Sequence, residues 1–418
     1  MRLDLTRPEF AINGGKPVRT LPWTDNFTTG EEEKKAVIRV LDSGYLSKFE
    51  GSYTPDPPFS FFGGPEVQAL EREWCDFYES SHAISMNSAT SGLFAAIGAL
   101  GLGFGDEVIV SPYTMTACAL APLIYGAIPV FADVEEATGC LDPISIKKCI
   151  SENTKAIVVV HLYGFCSDMP SIMEVAKKHN LLVIEDTAQA MGSRINGQMA
   201  GTFGDLGVYS FHSHKNITTL GEGGMLVVKN PKMAEIIPML RHNGHCGFNF
   251  ERENYWAPAM GNVDLPDLNG KPIWPNNYCL GEVECALGVK LLDRIDQINM
   301  EKRERAMCFI DSMVGLPELE FHREDSKRHN YHLLVARVLN GKRDAFMSKM
   351  VEAGVQCVVQ YYPLNRYDLY KKAGYGEADC PSTDQFFDNM VSFPFHHMMS
   401  DEDFVEMTAI TKNVLSSM

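Results

Sequence analysis

Between about Phe62 and Lys229 the chain alternates short apolar runs of strand length with amphipathic segments of helix length. The apolar runs are nearly continuous stretches of Val and Ile, which is typical of strands buried on both faces. Strands that alternate with helices predict a mainly parallel sheet, because each parallel connection needs a crossover segment that a helix can supply. The sequence therefore predicts an α/β fold in which helices sandwich a mainly parallel mixed sheet.

The predicted elements can be placed closely. Seven runs are predicted strands: His82–Met86, Glu107–Ser111, Ile128–Ala132, Ala156–His161, Leu181–Glu185, Gly207–Phe211 and Met225–Val228. Four of the predicted helices between them are Val67–Tyr78, Leu93–Gly101, Ile144–Ser151 and Met169–Lys178. Because ligands of such sheets bind outside the carboxyl ends of the strands, residues that follow these strands are the first candidates for a functional site.

After Lys229 the pattern changes. Residues 244–280 are rich in aromatic residues and proline, which predicts a long functional loop, either a lid or a subunit contact. A long helix is predicted from Leu280 to Arg294 and on to about Met313, and the remainder has the mixed make-up of a small α+β domain. We therefore predict an N-terminal segment (1–60), a large α/β domain (61–295) and a small C-terminal α+β domain (296–418).

Composition narrows the class of protein. The chain has 54 acidic and 37 basic residues, a formal net charge of -17, and such a field argues against nucleic-acid and anionic-membrane partners. No apolar stretch is long enough to span a bilayer, and the first residues contain no apolar signal core. The eleven cysteines are scattered singly, which predicts reduced thiols in the cytoplasm and neither a disulfide framework nor a zinc site.

Lys215 is the first candidate for chemistry. It follows the predicted strand that ends at Phe211 and precedes the glycine-rich turn Gly221–Gly224, an arrangement that presents a side chain to a cavity. Desolvation disfavours an ammonium ion and lowers the pKa of a lysine. The neutral amine is then a nucleophile towards a carbonyl and can form a Schiff base. An isolated lysine in a polar loop is more often a surface residue, so this interpretation depends on a second element.

Asp186 supplies that element. It ends a predicted strand and is followed by small residues, up to Gly192, that leave room for a flat ligand. Alone, Asp186 could equally cap a helix, and no His or acidic partner stands at metal-ligand spacing. Together with Lys215 it fits pyridoxal 5′-phosphate (PLP), because the lysine can bind the aldehyde while the aspartate keeps the pyridine nitrogen protonated.

The segment Met86–Gly92 lies between a predicted strand and a predicted helix and is rich in small hydroxyl residues. A helix N-terminus offers backbone N–H groups and a favourable dipole to a phosphate, although Ser and Thr are also common helix caps. Ser210, five residues before Lys215, is a further donor. These motifs contain no arginine, so the predicted phosphate contacts are neutral donors and a helix end.

Together these residues resemble the DegT/StrS family of sugar aminotransferases, which are PLP enzymes of fold type I. The resemblance extends over nearly the whole chain. Its most specific part is the pair Asp-x-Ala-Gln at 186–189 and Ser-Phe-x-x-x-Lys at 210–215. Other matching segments are Phe10–Arg19, Gly63–Val67, Asn87–Thr90, His161–Gly164 and Asn277–Glu282.

The resemblance implies that Lys215 is the catalytic residue, as Schiff-base lysine and proton shuttle, and that Asp186 contacts the pyridine nitrogen. The other implied cofactor contacts are Gln189 near the ring hydroxyl, Ala188 beneath the ring, Met115 on a ring face, and Ala89, Thr90 and Ser210 on the phosphate. Met115 stands where the family commonly has an aromatic residue, and a thioether can also cover a ring. Asn277 matches a position that reaches the phosphate of a neighbouring subunit, so a homodimer with shared sites is expected.

Departures from the family pattern concern the substrate contacts. Cys279 replaces a frequent basic residue, and Gln360 and Asn365 replace histidines. Three histidines stay open between packing and a role in substrate binding or acid–base chemistry: His161, His212 and His214. Some relatives carry a histidine in place of the lysine and are dehydratases. Counting back from the glycine-rich turn places Lys215, and not its neighbouring histidine, in register with the Schiff-base lysine.

The sequence therefore predicts a PLP-dependent aminotransferase that uses a Lys215 Schiff base and ping-pong kinetics. The predicted donor is glutamate or glutamine, and the predicted acceptor is a nucleotide-linked keto-sugar or a keto-cyclitol. Two alternatives stay open. One is a PLP-dependent sugar dehydratase, which needs no amino donor, and the other is a PLP-binding regulatory protein without turnover.

Overall fold

The structure, a computed structural model, describes Trp23, Asn26, residues 28–49, 60–247 and 261–322, Glu324 and residues 326–418. The Phe10–Arg19 motif and residues 248–260 of the long loop lie outside the described residues. The division into three parts at residues 60 and 295 stays a prediction.

The described ranges contain thirteen α-helices, and Pro, Asp or Ser begins several of them, as is common at helix N-termini. They are α1 (Glu31–Ser43), α2 (Pro65–Tyr78), α3 (Ala89–Ala99), α4 (Ala117–Ile124), α5 (Pro143–Cys149), α6 (Met169–His179), α7 (Pro231–Arg241), α8 (Glu282–Leu292), α9 (Ile295–Ser312), α10 (Arg343–Glu352), α11 (Asp368–Lys372), α12 (Pro381–Asn389) and α13 (Asp401–Ser416).

The same ranges contain fourteen strands, of which the seven longest in the first part of the chain confirm the predicted runs. The strands are β1 (His82–Met86), β2 (Glu107–Val110), β3 (Ile128–Phe131), β4 (Thr154–Val160), β5 (Leu182–Asp186), β6 (Arg194–Ile195), β7 (Gln198–Met199), β8 (Leu206–Ser210), β9 (Gly224–Val228), β10 (His245–Cys246), β11 (Asn262–Val263), β12 (Leu319–Phe321), β13 (Leu334–Val338) and β14 (Met390–Phe393).

Seven strands form the central sheet in the order β1-β9-β8-β5-β4-β2-β3. Strand β9 runs antiparallel to both of its neighbours, and the remaining pairs are parallel. The mainly parallel mixed sheet of the prediction is therefore confirmed. Because β1, β5 and β8 point the same way, the residues that follow Met86, Asp186 and Ser210 meet at one edge.

Side chains of the central strands alternate between two apolar layers, which explains their continuous Val and Ile runs. In β4, Val158 and Val160 belong to one buried cluster, whereas Ile157 and Val159 belong to another on the opposite face. The first layer includes residues of α3, α4 and α7, and the second includes residues of α5 and α6. The sheet is thus covered on both faces.

A second, three-stranded sheet in the order β12-β13-β14 is antiparallel throughout. It shares a separate apolar cluster with α9, α10 and α13, which includes Phe309, Phe346 and Met407. Leu333 and Phe395, which flank strands of this sheet, line one cavity together with residues at the carboxyl edge of the central sheet.

The single helix predicted from Leu280 to about Met313 is wrong. The structure has two helices, α8 and α9, that are separated at Asp293 and Arg294. At this point the Arg294 N–H donates to Leu291 O, three residues back, instead of four. The Arg294 side chain also donates to Glu33 and to the backbone of Thr28, so long-range contacts redirect the chain here.

The loop predicted at 244–280 is closed by a short antiparallel pairing of β10 with β11. No helix in the described ranges has the combined length and apolarity that crossing a bilayer requires.

All eleven cysteines are free thiols.

Candidate active site

A cavity of about 990 Å³ opens at the carboxyl edge of the central sheet, between this edge and the segments around the small sheet. Nearly all of the predicted site residues line it: Ala89, Thr90, Met115, Asp186, Ala188, Gln189, Ser210 and Lys215. They come from four separate stretches of the chain. The strand ends of the central sheet therefore bring the predicted residues together.

Lys215 is held by a tight loop between β8 and β9. Its backbone N–H donates to His212 O at 2.8 Å, and the Thr219 N–H donates to Phe211 O at 3.1 Å. Gly223, with φ of 151°, closes the loop, and a Cβ there would lie 2.1 Å from the Thr219 hydroxyl oxygen. This position thus requires glycine, and the loop presents the half-buried Lys215 side chain to the cavity.

Burial lowers the pKa of Lys215 to about 8, whereas the negative charge of Asp186 acts in the opposite direction. Desolvation is thus the stronger of the two effects. A substantial share of the amine is neutral near pH 8, as a nucleophile towards an aldehyde requires. The Asp186 carboxylate is therefore close enough to affect the protonation of Lys215.

Asp186 is buried at the end of β5 and both of its carboxylate oxygens are engaged. The Ala188 N–H donates to Oδ1 at 3.0 Å, and the Cys118 thiol of α4 donates to Oδ2 at 2.9 Å. The carboxylate is therefore fixed by its own loop and by a helix. Asp186 does not cap a helix, which removes the alternative that the sequence left open.

Gln189 is oriented by two tyrosines. Its Oε1 accepts from the Tyr163 N–H at 2.7 Å, and its Nε2 donates to the Tyr361 hydroxyl at 3.1 Å. Ala188, half-buried beside it, also lines the cavity.

The N-terminus of α3 forms another wall. Ser88 caps the helix by accepting from the Ser91 N–H at 3.0 Å. The first N–H groups of a helix have no acceptor within the helix, so those of Ala89 and Thr90 are available to a ligand. Gly224 lies directly against this turn, since a Cβ there would be 2.8 Å from Ala89 N.

Two predicted cofactor contacts are placed differently from the others. Met115 lines the cavity but is largely exposed, and its sulfur accepts from the Ala117 N–H at 3.3 Å. Asn277 is exposed and does not line this cavity. It lies beside Asn87, whose side-chain amide donates to Asn277 O at 3.4 Å.

The three candidate histidines separate into two kinds. His161 is fully buried away from the cavity, where its Nδ1 accepts from the Ser167 N–H and its Nε2 donates to Glu185. Both ring nitrogens are thus engaged in hydrogen bonds within the buried interior. His212 and His214 line the cavity, and their rings lie 5.1 Å apart.

Sequence reasoning missed several cavity residues from the C-terminal part of the chain: Lys302, His332, Tyr361, His396 and His397. One signal could have identified Lys302. It lies on the apolar stripe of α9, four residues after Ile298 and four before Ala306, where a buried residue is expected. For the histidines, no comparable pattern is present in the sequence.

The cavity brings together an amine of lowered pKa, a buried carboxylate and a helix N-terminus. PLP carries an aldehyde, a ring nitrogen and a phosphate, which the amine, the carboxylate and the helix N-terminus can bind in that order. The site therefore fits PLP. In the described ranges, no group of three or more His, Cys, Asp or Glu side chains is arranged to hold a metal ion.

Comparison with known proteins agrees with this geometry. The chain matches the family model described as the DegT/DnrJ/EryC1/StrS aminotransferase family over residues 59–411. It is 32% identical to the spore coat polysaccharide biosynthesis protein SpsC of Bacillus subtilis, over 92% of this chain and 95% of that protein. It is 31% identical to L-glutamine:2-deoxy-scyllo-inosose aminotransferase of Streptomyces kanamyceticus, over 89% of this chain and 84% of that protein.

It is also 31% identical to UDP-N-acetyl-3-dehydro-alpha-D-glucosamine 3-aminotransferase of Acidithiobacillus ferrooxidans, over 85% of this chain and 90% of that protein. Among solved structures, an aminotransferase from Psychrobacter cryohalolentis has a TM-score of 0.82 at 28% identity, covering 95% and 99% of the two chains. A Streptococcus pneumoniae protein, solved in its PLP form, has a TM-score of 0.79 at 26% identity, covering 95% and 99%.

Proposed function

The chain belongs to the DegT/DnrJ/EryC1/StrS aminotransferase family, and from this membership we propose that it is a PLP-dependent sugar aminotransferase with Lys215 as its catalytic residue. The proposed donor is glutamate or glutamine, and the proposed acceptor is a nucleotide-linked keto-sugar or a keto-cyclitol. One observation carries the proposal. The half-buried Lys215 amine and the buried Asp186 carboxylate line a single cavity, and the charge of Asp186 affects the protonation of Lys215.

Each side chain has a defined task in this proposal. Lys215 Nζ would hold the cofactor through its aldehyde and, once displaced by substrate, would carry a proton to and from the substrate carbon. When bound, PLP supplies an electron-withdrawing ring that makes the C–H bond at the amine-bearing carbon of the substrate acidic. Asp186 would keep the ring nitrogen protonated, because a buried carboxylate stabilises a neighbouring positive charge.

The remaining contacts orient the cofactor. The N–H groups of Ala89 and Thr90 and the hydroxyl of Ser210 would bind the phosphate, with the dipole of α3 favouring its negative charge. Gln189, fixed by Tyr163 and Tyr361, would lie near the ring hydroxyl. Together these contacts would restrict the cofactor to one orientation relative to the Lys215 amine.

The choice of substrate class rests on the relatives. One is named for transfer from L-glutamine to 2-deoxy-scyllo-inosose, a keto-cyclitol, and another for amination of a UDP-linked dehydro sugar. Both acceptors present a ring ketone, and the proposal extends this shared feature to the present chain.

We also propose a homodimer in which Asn277 completes the site of the partner subunit. Asn277 is exposed and does not line the cavity of its own chain, as a contact made across an interface would require. Sedimentation of the wild-type protein, together with cofactor affinity in Asn277→Ala, would test both parts of this proposal.

Replacement of Lys215 by alanine is the decisive test of the proposed function. The expected results are loss of the visible absorbance of lysine-bound PLP and loss of amino transfer from glutamate or glutamine. Lys147→Ala, which removes an exposed lysine from α5, is the control and should leave both unchanged. Full turnover in Lys215→Ala would contradict the proposal.

Assays of the wild-type protein distinguish an aminotransferase from the two alternatives, a sugar dehydratase and a PLP-binding regulatory protein. A dehydratase would consume the sugar substrate when the amino donor is omitted. A regulatory PLP protein would bind the cofactor but show no spectral change on addition of glutamate or glutamine.

A further inference from the structure

Three buried basic side chains from the C-terminal part of the chain line the same cavity. Lys302 lies on α9, His332 precedes β13, and His397 lies between β14 and α13. We refer to these three residues as the Lys302 cluster. Each is between 5% and 6% exposed, and each lines the cavity that holds Lys215.

Among the described residues, the Lys302 amine donates only to neutral acceptors. Nζ donates to Asn216 Oδ1 and to His332 O, both at 3.0 Å, and lies 5.3 Å from the centre of the Phe395 ring. In the part of the chain that the structure describes, no carboxylate forms an ion pair with it. An ammonium ion buried without a counter-ion is unfavourable, because neither water nor an anion compensates its charge.

His397 has unused hydrogen-bonding capacity in the same cavity. Its Nε2 is buried and has no hydrogen-bond partner among the described residues. Buried polar atoms in native proteins are nearly always paired, so this unpaired nitrogen beside the cavity is available to a ligand. This observation is independent of the contacts of Lys302.

The charges of the cluster repel one another. Burial, and after it the charge of Lys215, lowers the pKa of Lys302 to about 7. Burial, and after it the charge of Lys302, lowers the pKa of His397 to about 4, although Glu301 acts in the opposite direction. The pKa of His332 is lowered by burial and then by Lys215 and Lys302. In the absence of a bound anion, burial and mutual repulsion thus disfavour the charged forms of all three side chains.

We propose that the Lys302 cluster is an anion-binding subsite that receives an oxyanion group of a substrate. This proposal rests on the function proposed above and specifies how that site recognises its substrates. A bound anion would supply the missing counter-ion of Lys302 and a hydrogen-bond acceptor for His397 Nε2. Among the cavity-lining residues that the structure describes there is no arginine, so Lys302 is the cation available for this role once Lys215 holds the cofactor.

The oxyanion can come from either substrate. The amino donor carries carboxylates, and a nucleotide-linked acceptor carries a diphosphate. Both groups accept hydrogen bonds from an ammonium ion, and such charge-assisted bonds are among the stronger polar contacts in proteins. The experiment therefore includes one probe for each source.

Binding is measured by calorimetry on the cofactor-bound enzyme, with succinate as the carboxylate probe and inorganic pyrophosphate as the phosphoryl probe. The same proteins are assayed for the KM of the amino donor and of the keto acceptor. Lys302→Met removes the charge at similar length, and Lys302→Arg retains it. Lys147→Met is the matched control, because it removes the same charge from the exposed surface of α5.

We expect Lys302→Met to weaken binding of one probe by about tenfold to a hundredfold, the loss typical of a hydrogen bond to a charged group. If succinate is affected together with the KM of the amino donor, the subsite binds a carboxylate. If pyrophosphate is affected together with the KM of the acceptor, the subsite binds the diphosphate. Lys302→Arg should retain most of the affinity.

The proposal is overturned if neither probe binds the wild-type enzyme, or if Lys302→Met binds both probes with wild-type affinity. Should Lys302→Met fail to fold, His397→Asn provides the test, with the same probe expected to lose affinity. Because calorimetry needs no turnover, anion binding by an enzyme that transfers no amino group would contradict the proposed function and leave the subsite standing.

Discussion

The thiol of Cys118 donates a hydrogen bond of 2.9 Å to Oδ2 of Asp186, and both side chains are buried. Burial, and after it the charge of Asp186, raises the pKa of Cys118 well above its usual value. The sulfur therefore keeps its proton and acts as a donor. This contact links the N-terminal turn of α4 to the carboxylate that would hold the cofactor ring.

The first prediction concerns this contact. Cys118→Ala removes the donor and leaves one oxygen of Asp186 without its partner. We expect the affinity for PLP to fall by about threefold to tenfold, which is the range for one hydrogen bond. Cofactor titration followed by absorbance measures the change. Cys118→Ser keeps a donor and should lie closer to wild type; equal losses in the two variants would argue against the hydrogen bond.

The second prediction concerns the charge of Asp186. That charge raises the pKa of Lys215, so Asp186→Asn should lower the pKa of Lys215 below its value of about 8. In the cofactor-free protein, the pH dependence of Lys215 acylation, followed by mass spectrometry, measures this pKa. We also expect kcat to fall by about tenfold to a hundredfold, because a charge-assisted hydrogen bond to the ring is lost. An unchanged or raised pKa would show that the two groups do not interact.

The third prediction is a dependence of stability on pH. Folding lowers the pKa of Lys215 from 10.5 to about 8, so its protonated form destabilises the native state below pH 8. Between pH 8 and 10.5 the unfolded chain binds a proton that the native chain does not. The free energy of unfolding therefore rises with pH in this range, and the destabilisation caused by Lys215 disappears. Cofactor-free Lys215→Met should therefore melt at a higher temperature than wild type at pH 7, with a smaller difference at pH 9.5. A difference that does not change with pH would contradict the predicted linkage.

The fourth prediction is that Glu185 stabilises the fold, whereas a cofactor contact is proposed for the adjacent Asp186. Its carboxylate is fully buried and accepts from the N–H groups of Gly201, Phe203 and Gly204 at 2.6–2.8 Å. Glu185→Ala leaves these donors unpaired, as well as His161, and should cost at least about 3 kcal/mol of unfolding free energy. Calorimetry measures the effect, and Glu152→Ala on the exposed surface is the control. A melting temperature equal to that of wild type would contradict the structural role.

The fifth prediction tests the phosphate end of the site. A Cβ on Gly224 would lie 2.7 Å from Ser88 C and 2.8 Å from Ala89 N, so Gly224→Ala must displace the first turn of α3. We expect weaker PLP binding, measured by absorbance titration. Gly247→Ala, where a Cβ would have no described residue within 4 Å, is the control. Equal affinity in both variants would place the phosphate elsewhere.

The sequence alone determined the central sheet and the pair at its carboxyl edge. Strands buried on both faces appear as continuous Val and Ile runs, because burial selects the residue type directly. Asp186 and Lys215 could be identified because Asp186 ends a strand and Lys215 closely follows one, and the parallel arrangement brings strand ends together. Their family motif added the expected roles.

Only the tertiary structure decided the remainder of the site. Lys302 meets Asn216 across 86 residues of sequence, and this contact depends on how α9 packs against the loop that holds Lys215. The break between α8 and α9 has a similar origin, since Arg294 is held by residues of the N-terminal part of the chain. Local patterns reflect whether a residue is buried, but they do not specify which distant side chains it meets. The residues at the strand ends that line the cavity could therefore be predicted from sequence, whereas the basic side chains of the Lys302 cluster could not.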